Sequence, residues 1–148
     1  MTRIAFGATA LLAVALTSCT SKPPAIVPVE GVVLLDGAPL PKVRVLFFPQ
    51  AKFEGASEYV AQGVTDDEGR FKLVCRGKDG ACAGESIVTV MDDVPDELSA
   101  SSAREKYYEY MKGLKNRPVP DQFRTAATSP ARVTVTADQK EYKIEFRR

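Results

Sequence analysis

The 148-residue chain contains no histidine and no tryptophan. Without histidine there is no Ser-His-Asp or Cys-His nucleophile machinery and no histidine-ligated metal site. Any acid–base chemistry would fall to Asp, Glu, Lys or Tyr. An excess of one charge is missing too. Twenty basic and nineteen acidic side chains give a net charge of +1, so there is no electrostatic footprint for nucleic acid. Cysteine is scarce: Cys19, Cys75 and Cys82 are the whole set. Long apolar runs are absent apart from one near the start, Ile4 to Leu16, of about thirteen residues, where a spanning helix needs about 20. Phosphate-binding glycine loops, nucleophile elbows and zinc spacings are not visible. The sequence indicates no cofactor and no metal.

What is present near the start is an export pattern. Arg3 forms a short basic region, the run to Leu16 has the size of a signal core, and Thr17-Ser18 are small. "LTSC" then resembles the bacterial lipobox, in which the cysteine is acylated and becomes the first mature residue. On that reading residues 1–18 are a signal peptide and Cys19 carries the lipid. Several acyl chains at roughly 0.8 kcal/mol per buried methylene would hold a domain at a membrane without a spanning helix. Thr20 in place of aspartate resembles the outer-membrane sorting pattern. The plainer alternative is an ordinary cleaved signal. Residues 19–28, ending "TSKPPAIVP", read as a proline-rich tether.

Beyond the tether the hydrophobic period is two. Val29, Gly31, Val33 and Leu35 share one strand face, and Asp36-Gly37 ends it. Val43, Val45 and Phe47 mark a second strand, stopped at Pro49. "YVAQGVT" gives a third and Phe71, Leu73 and Cys75 a fourth. "SIVTV" is a fifth, and Ala131–Val135 and Tyr142–Phe146 are the last two. Seven short strands between Gly/Pro turns predict an all-β, antiparallel sandwich over residues 29–148. The long gap at 92–127 predicts one helix over about 99–115, with a Ser102/Glu105 capping box. Its apolar face would hold Tyr107, Tyr110, Met111 and Leu114. Leu46 and Phe48 make the second strand apolar on both faces. The helix is therefore expected to cover that sheet, the alternative being an exposed aromatic patch.

Four stretches together resemble a known domain: "VEGVVLLDGAPLPKVRVLFFP", "GVTDDEGRFKL", "GACAGESIVTV" and "VPDQFRTAATSPARVTV". They are similar to the carboxypeptidase regulatory-like, transthyretin-like domain of small bacterial lipoproteins. Val29, Gly31, Asp36, Gly37, Pro39 and Leu40 fit its first element, and Val45, Phe47 and Pro49 its second. Thr65, Asp66, Gly69 and Phe71 fit the third, and Pro120, Phe123, Thr128, Ser129 and Pro130 the last. Ser86 and Ala131 depart from it by being small, so other side chains must supply core volume. The tyrosine helix is a candidate filler. The resemblance implies a seven-stranded prealbumin-like sandwich and no single activity. Enzymes with related sandwiches rely on histidines that this chain lacks.

The remaining candidates are weighed on their residues. In an exported protein Cys75 and Cys82 can pair as a disulfide. Closing a loop of about eight residues would contribute about 2–3 kcal/mol. Two buried free thiols are the alternative, and the spacing is wrong for a Cys-x-x-Cys redox centre. Asp66, Asp67 and Glu68, and Asp92, Asp93, Asp96 and Glu97, read as solvated turns more readily than as calcium loops. Tyr107, Tyr108, Tyr110 and Met111 are the candidate interaction surface. The expectation is a non-enzymatic, lipid-anchored envelope module. It would touch the membrane through Cys19, take an envelope protein or glycan as partner, and bind no nucleic acid. An enzyme using Asp92, Asp93 and Glu97 is the rival, and a passive spacer the third reading.

Overall fold

The computed structural model describes residues 21–148, so the expected signal peptide and the acylation site Cys19 lie outside the described residues. Strand β1 (Ile26–Val27) lies within the expected tether, between Pro24 and Pro28, so the last part of that segment is paired strand; β2 (Glu30–Leu35), β3 (Ala38–Pro39) and β4 (Val43–Pro49) follow. The turn joining β2 to β3 is Asp36-Gly37, with φ of +54° and +81°. Two left-handed residues in a two-residue loop match the right-handed twist of the strands they join. A second group follows: β5 (Ala61–Val64), β6 (Arg70–Lys72), β7 (Val74–Cys75), β8 (Lys78–Asp79) and β9 (Ala81–Cys82). The longest strand is β10 (Gly84–Asp92), after which come helices α1 (Asp96–Ser99) and α2 (Arg104–Gly113). The chain closes with β11 (Arg132–Val135) and β12 (Glu141–Phe146).

The fold is all-β and sandwich-like. A six-stranded sheet runs β11-β10-β4-β5-β7-β8, a four-stranded one has β12, β3 and β6 around β2, and β1 pairs with β9 in a ribbon of two strands. The core lies between the apolar faces of the larger sheets. Val45 and Phe47 of β4 and Val88 and Val90 of β10 meet Val33 and Leu35 of β2 and Ile144 and Phe146 of β12. The Phe47 and Phe71 rings, one from each sheet, lie 6.2 Å apart. Strict alternation of buried and exposed residues along β12 shows why its sequence chooses a strand: only one face has a core to enter.

The expected seven antiparallel strands become twelve in three sheets, and one pairing, β12 with β2, is parallel. The parallel pair is possible because residues 136–140 carry the chain from one sheet to the other, so β12 need not pair with β11. The predicted fourth strand is two strands. Phe71 pairs with Gly31 in the smaller sheet, whereas Val74 pairs with Gln62 in the larger one. The crossing falls at Leu73, which donates its amide to Val29 and accepts from Gly80. Buried positions keep alternating through the crossing, so the pattern alone could not show it.

The insert differs as well. Helix α2 starts at Arg104, without a side-chain cap, and Ser102 lies in a preceding 3-10 turn, so the predicted capping box is not formed. None of the residues in α2 is fully buried. Core volume from the long gap comes instead from Val119 and Phe123, 2% and 1% exposed, with Phe123 packed 4.7 Å from Phe146. Leu46 and Phe48 are half-buried.

Candidate functional site

Strand β10 links two ends of the domain. Its nine residues, at about 3.3 Å each, span about 30 Å. At its start, Ala83 donates its amide to Ala25, just where the tether joins the domain. At its finish, Asp92 and Asp93 lead into the insert.

The insert end is fastened by charge. The Asp92 side chain, 6% exposed, accepts from Arg117 Nε at 2.6 Å on one oxygen and from Arg124 Nη2 at 3.1 Å on the other. Arg117 also donates to the carbonyls of Pro41, Lys42 and Lys115. Asn116, held at φ +56°, donates to the carbonyls of Leu35, Ala38 and Pro39. Asp93 pairs with Arg44 at 2.8 Å, and its carbonyl accepts from the Tyr110 hydroxyl at 2.7 Å. Burial, then the neighbouring Asp93 carboxylate, pushes the Tyr110 phenol above its usual range. At the C-terminus, Arg148 pairs with Asp36 and donates to Asn116 Oδ1 at 3.1 Å. The backbone amide of Arg148, bonded to Asp36, is the chief cause holding that carboxyl below the usual carboxylate range.

Above this base, α1 and α2 enclose a small groove of about 410 Å³. Val94, Leu98, Arg104, Tyr107 and Tyr108 line it, with Ser99–Ser101 at its rim. The Tyr107 and Tyr108 rings meet edge to face at 5.7 Å, and Tyr108 is 56% exposed. Of the four predicted surface residues, Tyr107 and Tyr108 line the groove. Tyr110 is tied down to β10, and Met111 is half-buried outside the groove lining.

The tether end is fastened by burial. Cys75 and Cys82, 0% and 2% exposed, are both free thiols, and the expected bridge is not formed in this structure. Strands β7 and β9, which carry them, are in contact. Cys75 Sγ also lies 3.4 Å from the Tyr59 carbonyl. Burial pushes both thiols up, Cys82 to about 11. A thiol held neutral in this way is a poor nucleophile.

The carboxylates singled out in the sequence are not gathered together. Each oxygen of Asp92 meets an arginine, Asp93 pairs with Arg44, and Asp96 and Glu97 stand exposed in the first turn of α1. Asp66 accepts the amides of Glu68 and Arg70, both at 2.9 Å, and so braces its own turn. Among the described residues no three Cys, Asp or Glu side chains converge as a metal site. A second concavity, an open trough of about 740 Å³, lies along β2, β6 and β12. Charged side chains border it, and Glu30 there pairs with Lys72 and Lys140. The Arg117–Asp92–Arg124 cluster was not foreseen; nothing local in the sequence ties residues 25 and 32 positions apart. No family model, curated protein or solved structure matches this chain.

Proposed function

We propose that this chain is a non-enzymatic, lipid-anchored module of the bacterial cell envelope. It is built on a prealbumin-like sandwich and presents the α1–α2 insert to an envelope protein or glycan. Acylated Cys19 would hold it at a membrane, with the outer membrane as its destination, and the part of the tether before Ala25 would lift the domain off the surface, since Ala25 to Val27 are bonded to the domain itself. The observation that carries this reading is the polarity of the domain. The tether arrives at one end of β10, and the insert leaves from the other. An anchored domain of this build turns its tyrosine groove away from the lipid.

The arrangement of the carboxylates supports a non-enzymatic role. Asp92 is nearly buried and each of its oxygens meets a guanidinium group, so it serves the fold and is not presented to a substrate. Tyr107 and Tyr108 offer flat, amphipathic contact surface of the kind that binding sites favour.

A photo-crosslinking residue placed at position 108 in intact cells tests the reading, with position 143 on β12 of the smaller sheet as control. A discrete adduct from 108 and none from 143 is expected. Adducts from 143 alone, or none from 108, would overturn the assignment of this surface.

A further inference from the structure

The β1–β9 ribbon is a short joint between the tether and the domain; Cys82 is part of it, and Cys75 lies in β7, which is in contact with β9. Only Ile26–Cys82 and Val27–Ala81 pair across it, and it belongs to neither larger sheet. A two-stranded ribbon is marginal by itself. Cys82 lies in β9, directly opposite tether residue Ile26. Cys75 lies in β7, which pairs with β5 and so belongs to the six-stranded sheet. Gly80, at φ +122°, brings β9 so near the tether that an added Cβ would stand 1.9 Å from the Val27 carbonyl oxygen.

We infer that Cys75 and Cys82 form a reversible dithiol–disulfide couple whose oxidised form locks the tether strand to the body of the domain. The oxidant is an organic disulfide. When the ribbon opens and water reaches the thiols, burial no longer holds them neutral, and one cysteine, as thiolate, attacks a sulfur of that disulfide and expels one thiol. The second cysteine then attacks the mixed disulfide, forming the Cys75–Cys82 bond and expelling the other thiol. Two protons leave the cysteines and two thiols are released, so the cysteines are oxidised and the organic disulfide is reduced. The new bond joins β9, and through it β1, to the six-stranded sheet. In the dithiol form the ribbon is held by two residue pairs, the adjoining hydrogen bond from the Ala83 amide to the Ala25 carbonyl, and packing. Both thiols are shielded from water, so the oxidant gains access when this end opens. The inference concerns the tether joint and does not depend on the partner of the α1–α2 groove.

The experiment uses the full chain, purified reduced and then treated with glutathione disulfide. Intact mass should fall by two hydrogens, with the joined peptides recovered from a digest. Hydrogen exchange of residues 24–28 and 80–84 should slow by about tenfold or more in the oxidised form, with α2 unchanged. Gly80→Ala, which pries the ribbon apart, should speed oxidation of the reduced protein. Failure to lose two hydrogens, or exchange at the ribbon equal in both forms, would overturn the inference. An oxidation rate unchanged in Gly80→Ala would overturn the access route. Cys75→Ser should show no redox dependence of exchange, which separates bond formation from general effects of the oxidant.

Discussion

The two ends of β10 are closed by opposite kinds of chemistry. At the insert end, arginines, carboxylates and backbone carbonyls interlock, with Asp92 at the centre. At the tether end the fastening is apolar, with Cys75, Ala81 and Cys82 buried and a short ribbon over them. The difference has a physical cause. The insert leaves the sheets as irregular chain whose backbone groups need partners, and arginine supplies several donors at once. The ribbon satisfies its own backbone by pairing, so its side chains can be apolar. One end should therefore respond to removal of charge, the other to redox state and alkali.

Replacing Asp92 by Ala should have the largest effect of those considered. It leaves the nearly buried Arg117 without its carboxylate, and urea denaturation should show a loss of about 3 kcal/mol. A loss near zero would mean that charge does not fasten the insert end. The tether end should dominate in alkali. The Cys82 thiol is raised in the folded state, so its contribution is complete below the unfolded thiol range and is lost as pH climbs toward about 11. Under reducing conditions, roughly 2 kcal/mol should disappear across that window. The slope should flatten in Cys82→Ala, while an identical slope would remove the assignment. Cys75 and Tyr110 are raised in the same direction, first by burial, so the slope in Cys82→Ala should flatten without vanishing, and Tyr110→Phe measures the share that comes from the insert end. That variant should itself cost about 1 kcal/mol by losing its bond to Asp93, with faster hydrogen exchange confined to α2. Asp36 should give the smallest effect. Its carboxyl is lowered in the fold, so its stabilisation is present above the ordinary carboxylate range and fades as pH falls through the lowered value. It is exposed, so added salt should erase the difference between wild type and Asp36→Asn in acid melts.

Much of the sheet structure could be read from the sequence because alternation and turn residues are local signals. "TDDEG" is an example. Thr65 is buried, accepts from the Val43 amide and donates to the Leu40 carbonyl, while Asp66 braces the turn beneath it. Gly69 is required because a Cβ there would stand 2.7 Å from the Val33 carbonyl oxygen. The Tyr107, Tyr110, Met111 and Leu114 stripe also lies where its spacing placed it, half-buried beside exposed Lys106, Glu109 and Lys112. What could not be read was non-local. The switch of sheets at Leu73 leaves alternation intact, and the parallel β12–β2 pair depends on where a turn delivers the chain. The Asp92 cluster joins three segments that carry no common motif. The helix was expected to fill the core because its aromatic stripe was plain in the sequence. Phe123, in a short turn with no periodicity, fills it instead.

The proposed anchoring and polarity of the domain can be measured on the natively processed protein in vesicles, with fluorophores placed one at a time at positions 78 and 108. Nitroxide-labelled lipid headgroups quench a dye only at close range. The account predicts strong quenching at 78, beside the tether end, and little at 108. Stronger quenching at 108 would contradict the proposed orientation, and equal, negligible quenching at both with the protein left in solution would contradict the anchor itself.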